Sequence, residues 1–249
     1  MQNEFDLLEK TIKDICGNKQ VCYLANPGNW GDALIRHATK VFLKQKGINY
    51  NEIMVNEPKE TINKDIPECD ILLYGGGGAW CELWSHANET INKLRINFDR
   101  VIVLPSTFEK NFSIPNTTFF CRDIYESKNN MPGAIFCHDM AFYIGKLTVP
   151  KGSGTGYFFR LDSESSKKID ISNNNLDISL RGNHLSDIGL FFEYIAKYET
   201  IHTDRLHVAI ASCLLGKELY LYPGSYFKNK SVYLSSIKYN FPNTYFQEI

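Results

Sequence analysis

An α/β fold with parallel strands is what this sequence predicts, on three observations: short apolar runs without polar alternation, segments of helical apolar spacing between them, and glycine-rich turns where apolar runs end. A strand that is apolar at every position is buried on both faces, as in a parallel sheet covered by helices on either side. The loops that leave such strands are also where open α/β sheets bind ligands.

The elements follow in order. Phe5, Leu8, Ile12 and Ile15 recur at helical spacing, and Gly17 supplies a left-handed stop. Val21, Cys22, Tyr23, Leu24 and Ala25 form a first strand that runs into N-P-G-N-W-G-D over residues 26–32. Asp32 is expected to cap a helix that reaches Gln45 and stops at Gly47. Residues 71–74 form a second strand ending in Gly75, Gly76, Gly77 and Gly78, with a helix through Trp84 and Leu94 after it. A strand over 101–104 ends at Pro105, and one over 118–121 runs into Arg122 and Asp123. Residues 1–150 therefore read as a Rossmann-like domain.

The stretch P-K-G-S-G-T-G at 150–156 suits neither helix nor strand and marks a domain boundary, which leaves residues 151–249 as a second domain. Strands are expected there over 157–161, 178–180, 200–203 and 218–222. Helices are expected over 186–198, capped by Ser186, and over 204–215, closed by Gly216. The aromatic tail from Ser225 offers a last helix to pack across the domain gap. The chain has no internal repeat and no low-complexity tract.

Composition narrows the function classes. With 249 residues, 43% of them apolar, the chain can bury one large core or two smaller ones. Its 27 Lys and Arg against 28 Asp and Glu argue against nucleic acid or an acidic membrane surface as the main partner, so any bound anion must be met by locally placed cations. The seven cysteines, at 16, 22, 69, 81, 121, 137 and 213, include no C-x-x-C pair and no zinc-site spacing, so no metal is expected. They read as free, mostly buried thiols, and with no secretory leader ahead of them they place the chain in the cytoplasm. No apolar run reaches the roughly 18 residues of a membrane span, and the Asn-x-Ser/Thr matches at Asn88, Asn111, Asn116 and Asn229 carry no weight without export.

Chemistry concentrates at strand-to-helix junctions. In I-H-T-D-R-L-H-V-A-I-A-S, residues 201–212, a strand ends and a helix begins, so first-turn N–H groups and the side chains of Arg205 and His207 can face one anion. The alternative is that Asp204 is an N-cap, Arg205 a solvated first-turn residue and His207 a satisfied histidine. The N-P-G-N-W-G-D loop is neither a P-loop nor a dinucleotide fingerprint, since it lacks both Gly-Lys-Ser/Thr and G-x-G-x-x-G spacing. There Asp32 either caps the helix or meets a substrate. The glycine run at 75–78 admits either a ligand or close packing. Arg160 in F-F-R-L-D and Lys228 with Lys230 in S-Y-F-K-N-K are cations after strands, for which solvent exposure is the alternative.

Taken in this order, N-P-G-N-W-G-D, the strand into G-G-G-G, F-F-R-L-D, T-D-R-L-H-V-A-I-A-S and S-Y-F-K-N-K resemble the polysaccharide pyruvyl transferase family across most of the chain. The pairing of T-D-R-L-H with the N-terminal G-D loop is the specific part. The resemblance implies two Rossmann-like domains facing across a cleft, as in GT-B glycosyltransferases, and transfer of pyruvate from phosphoenolpyruvate to a sugar, usually as a ketal bridging two hydroxyls. It implies His207 as the acid/base, Arg205, Arg160, Leu206 and Lys228 as donor-binding residues, and Asn29, Asp32, Gly76 and Gly77 on the acceptor side. Phosphoenolpyruvate enters as a substrate and no cofactor is implied; the acceptor is a polysaccharide or its lipid-linked precursor, at the inner face of the membrane. Only 44 residues separate Arg160 from Arg205, fewer than the family pattern, so the second domain is expected to be shortened, with Gly182, Asn183 and His184 filling part of the gap. A sugar-nucleotide glycosyltransferase and a non-catalytic carbohydrate-binding or assembly protein are the competing readings, because a shared architecture does not determine function.

Overall fold

The computed structural model describes residues 1–55, 66–166 and 173–248. Two compact units emerge from its contacts: Met1–Gly28 with Ile35–Tyr143, and Asn29–Leu34 with Ile144–Ile249. The chain is α/β and every named strand pair in both sheets is parallel.

In the first unit, α1 (Gln2–Cys16) buries Phe5, Leu8, Ile12 and Cys16 and ends at Gly17, whose φ of 53° is the left-handed stop expected from sequence. Strands β1 (Val21–Leu24) and β3 (Ile71–Tyr74) are buried at every position, as continuous apolarity predicts. With β2 (Asn51–Ile53), β5 (Arg100–Phe108), β6 (Thr117–Cys121) and β7 (Ile135–Phe136) they form a sheet in the order β2-β1-β3-β5-β6-β7, and β4 (Gly77–Trp80) pairs with β5. Trp80 anchors one side of the core, its ring 4.9 to 6.4 Å from those of Tyr74, Phe108, Phe112 and Phe119. A buried ion pair, Arg122 Nη1 to Asp139 Oδ2 at 2.7 Å, closes the end of β6.

The N-terminal half of the chain departs from the sequence reading in three places. The glycine run continues into β4, so the following helix, α3 (His86–Leu94), begins two residues beyond Trp84. Asn29, not Asp32, caps α2 (Trp30–Gln45). Cys22 and Cys69 are also joined in a disulfide, with Cα atoms 5.9 Å apart, and the five other cysteines are buried thiols. The parallel pairing of β1 with β3 brings together two residues 47 apart in sequence, a proximity that cysteine spacing does not reveal.

The second unit carries a four-stranded sheet in the order β11-β10-β9-β8: β8 (Thr155–Phe158), β9 (Thr200–Thr203), β10 (Glu218–Leu221) and β11 (Thr244–Phe246). Helix α5 (Gly189–Ala196) packs on α6 (Leu206–Leu214), which lies on β9 and β10 and is buried at every position except His207. Gly216, with φ 67°, turns the chain from α6 into β10. The tail forms α7 (Lys228–Val232), a π-helical turn over Tyr233–Ile237 and then β11, an added strand that its mixed composition does not announce. The strand expected over 178–180 is a 3-10 helix, Ile178–Arg181, and Ser186 accepts the Asn183 N–H instead of capping α5. Edge strand β8 is covered by Asn175, which accepts the Phe159 N–H at 2.7 Å and donates to the Phe159 carbonyl at 3.0 Å. This side-chain amide stands in for the missing neighbour strand. Among the described residues no helix is long and apolar enough to cross a membrane.

Candidate active site

Strand register brings the two arginines to one sheet edge. Phe158 on β8 stands opposite Thr203 on β9, and Thr203 opposite Leu221 on β10, so the chain leaves all three strands at one level. Arg160 lies two residues beyond Phe158 and Arg205 two beyond Thr203. Thr203 Oγ1 donates to the Phe158 carbonyl at 2.6 Å and accepts the Arg205 N–H at 2.9 Å, while Asp204 Oδ1 accepts the Arg160 N–H at 2.8 Å. Asn229 Nδ2 donates to the carbonyls of Asp204 at 2.6 Å and Tyr222 at 2.9 Å, tying α7 to the same edge. Asp204 is thus a bracket between strand ends, and Arg205 takes the N-cap position of α6 with no side-chain cap.

Neither arginine is solvated: Arg160 is 3% and Arg205 4% exposed. Arg205 makes a bidentate pair with Asp177, Nε to Oδ1 at 2.9 Å and Nη2 to Oδ2 at 2.5 Å, and its Nη2 also meets Asp162 at 2.9 Å. Arg160 grips Asp162 through Nε at 2.7 Å and Nη2 at 3.1 Å, and pairs with Glu164. Lys228 reaches the other oxygen of Glu164 at 2.5 Å. Each guanidinium thus uses its Nε–Nη2 edge on carboxylates, which fixes the planar fork in orientation.

The titration of these groups follows from burial and charge. Burial raises the Glu164 carboxyl, but the Lys228 and Arg160 cations outweigh it and hold the group at about 2. Asp162 is likewise pushed up by burial and brought below its ordinary value by Arg160 and Arg205. Asp204 goes the other way: burial raises it to about 6, against the Arg160 N–H and the two guanidinium charges.

His207 meets the turn of residues 29–32 within this same unit. A Cβ built on Gly31 would lie 2.5 Å from His207 Nδ1 and 2.9 Å from its Cβ and Cγ, so only glycine leaves room for the imidazole. The loop is fixed around that contact. Asn29 Oδ1 accepts the Gly31 N–H at 2.8 Å and Asp32 Oδ2 accepts the Asn29 N–H at 2.9 Å, a reciprocal capping box. Trp30 Nε1 donates to the Asp187 carbonyl at 2.8 Å, and the indole stands edge-on to Phe191 with centroids 5.4 Å apart. Asn29 also forms an isolated bridge with Asn183. Leu206, between Arg205 and His207, is 4% exposed.

The structure therefore gathers Arg160, Arg205 and Lys228 into one network and sets His207 against the loop of Asn29 and Asp32. Gly76 and Gly77 belong to the first unit. Gly76 has a packing reason of its own, because a Cβ there would lie 2.3 Å from the Pro105 carbonyl oxygen. Sequence reasoning missed Asp162, Glu164, Asp177, Asp204 and Asn229 as members of the network. Asp162, Asp204 and Asn229 carried a signal, as members of the F-F-R-L-D, T-D-R-L-H and S-Y-F-K-N-K motifs, whereas Glu164 and Asp177 carried none. Among the described residues no group of three or more His, Cys, Asp or Glu could hold a metal ion.

This is a parallel α/β protein with a buried, preorganised charge cluster and a histidine where strands give way to a helix, the position at which such folds bind ligands. The chain belongs to the polysaccharide pyruvyl transferase family, whose model matches residues 29–223. That span starts at Asn29 of the capping box and includes T-D-R-L-H, while Lys228 lies beyond it. Among solved structures, an uncharacterized protein from Klebsiella pneumoniae subsp. pneumoniae NTUH-K2044 is 30% identical, with a TM-score of 0.79 and coverage of 100% of both chains. No curated protein matches the chain.

Proposed function

We propose that this protein transfers the pyruvyl unit of phosphoenolpyruvate to a sugar of a cell-surface polysaccharide or its lipid-linked precursor, forming a ketal and releasing phosphate. In this reading the donor's methylene carbon gains a proton, a sugar hydroxyl adds to the adjacent carbon, and phosphate leaves with the electrons of its C–O bond. A second hydroxyl then closes the ketal, and the protons lost by the two hydroxyls balance those gained by the methyl group and phosphate. The donor brings its own activated group, so no cofactor is required, and the reaction is assigned to the cytoplasm, where phosphoenolpyruvate is available.

His207 is assigned the proton transfers, a task for which imidazole is suited near neutral pH and which contributes roughly 10²- to 10⁴-fold. Arg205, Arg160 and Lys228 are assigned to the donor's carboxylate and phosphate, with Leu206 as an apolar wall and the first turn of α6 stabilising the departing anion. The turn of residues 29–32 is assigned to the acceptor.

The observation that carries this reading is the seat of His207: the imidazole rests on Gly31 of the G-D loop, two residues along the helix from a buried, oriented arginine. The test is phosphate release from phosphoenolpyruvate across a panel of synthetic and lipid-linked galactose, mannose and N-acetylhexosamine acceptors, with wild type and His207→Ala. Acceptor-dependent release in wild type, reduced at least 10²-fold in the variant, is the expected result. Silence of the wild type across the panel, together with no donor binding by calorimetry, would overturn the reading.

A further inference from the structure

The charge cluster at the ends of β8 and β9 is not built to receive an anion without compensation. Three cations, Arg160, Arg205 and Lys228, are matched there by four carboxylates, Asp162, Glu164, Asp177 and Asp204. Adding a donor that bears both a carboxylate and a phosphate turns a nearly balanced buried site strongly negative, which is costly at low dielectric.

One carboxylate differs from the others. Asp162, Glu164 and Asp177 each sit on a guanidinium or an ammonium. Asp204 is fully buried, accepts the Arg160 N–H on Oδ1, and its Oδ2 has no hydrogen-bond partner among the described residues. A buried carboxylate oxygen in that state requires an explanation. The groups around it are Arg160 from the segment after β8, Arg205 and Thr203 on its own segment, and Asn229 from α7, with Asp162 and Asp177 beyond the arginines.

We propose that Asp204 is the proton-accepting residue of the donor site: ionised when the site is empty, it takes up one proton when an anionic donor enters, and so offsets one of the negative charges that the donor brings. The inference rests on the donor reading above. Burial has already raised Asp204 to about 6, so at pH 7 roughly a tenth of the molecules carry the proton. One added negative charge about 6 Å away, at an effective dielectric of about 20, raises its proton affinity roughly a hundredfold. Binding should then draw in about 0.8 proton per donor at pH 7.

The experiment is calorimetric titration of the full chain at pH 7 in buffers of widely different ionisation enthalpy, with phosphoenolpyruvate and, separately, with sulfate as an anion that does not titrate. Wild type should take up close to one proton per anion bound, and Asp204→Asn should bind with uptake reduced at least fivefold. Should Asp204→Asn fail to fold, Asp204→Glu and the wild-type buffer comparison still decide, joined by the carboxyl carbon resonance of Asp204 moving to its protonated position on saturation. Binding without proton uptake, uptake unchanged in Asp204→Asn, or no uptake with either anion would overturn the inference. Sulfate-driven uptake with no phosphoenolpyruvate binding would instead sink the donor reading and leave the role of Asp204 standing.

Discussion

Gly31→Ala places one methyl group where the imidazole of His207 already stands. The new Cβ would fall 2.5 Å from Nδ1, whereas ordinary contact needs about 3.4 Å, so the ring or the helix start must give way by about 1 Å. Overpacking of this kind costs about 1–3 kcal/mol, and alanine at a helical position returns about 1 kcal/mol of propensity. Net destabilisation should therefore be at most about 2 kcal/mol, or a fall of roughly 4–8 °C in Tm for a chain of this size. On the proposed role of His207, activity should suffer more, because a misplacement of about 1 Å at a catalytic group costs on the order of 10²-fold. The assay is phosphate release beside thermal denaturation, for wild type, Gly31→Ala, His207→Ala and the double variant. In the His207→Ala background most of the clash is gone, so the stability cost of Gly31→Ala should shrink. A Gly31→Ala enzyme with wild-type turnover, or one equally destabilised with and without the imidazole, would refute the idea that this glycine exists to seat His207.

Two further outcomes follow from the first unit. Cys69→Ser should destabilise the oxidised protein by up to about 4 kcal/mol, the loop-closure value for a 47-residue separation, and should do nothing under reductant; alkylation of oxidised wild type should label five thiols and not seven. His138, buried and lowered to about 4 chiefly by desolvation and then by the N-terminal charge, should make the fold acid-sensitive. Its folded value lies below the ordinary 6.5, so the unfolded chain binds the proton first and stability falls as pH drops from 6.5 towards 4. The loss should reach about 2.5 kcal/mol by pH 4.5. Urea midpoints at pH 7 and 4.5 should show that difference in wild type and a smaller one in His138→Gln.

Much of the fold was legible because its signals are local. Apolar runs at 21–24 and 71–74 must be buried on both faces, and the stops at Gly17 and Gly216 need only a residue that tolerates positive φ. The errors share one cause, competition from distant partners. Asp204, for which a helix cap was the alternative reading, instead holds the Arg160 N–H, because β8 delivers Arg160 beside it. Asp32 supports the cap that Asn29 makes, a distinction of one hydrogen bond that composition cannot resolve. The segment over 178–180 is apolar enough for a strand, yet the chain turns there to place Asp177 on Arg205.

By itself the sequence determined the α/β class, the family and the residue types at each strand-to-helix junction, since periodicity, glycine placement and the T-D-R-L-H and N-W-G-D motifs are written along the chain. Only the tertiary structure decided which of those residues meet. Parallel pairing joins strands far apart in sequence, and the register of β8 against β9 is what turns two arginines separated by 44 residues into one buried cluster with Asp162 between them. The same long-range pairing joined Cys22 to Cys69, and the close approach of a helix start to α6 set His207 against Gly31. Such contacts depend on packing in three dimensions, which a one-dimensional pattern does not encode.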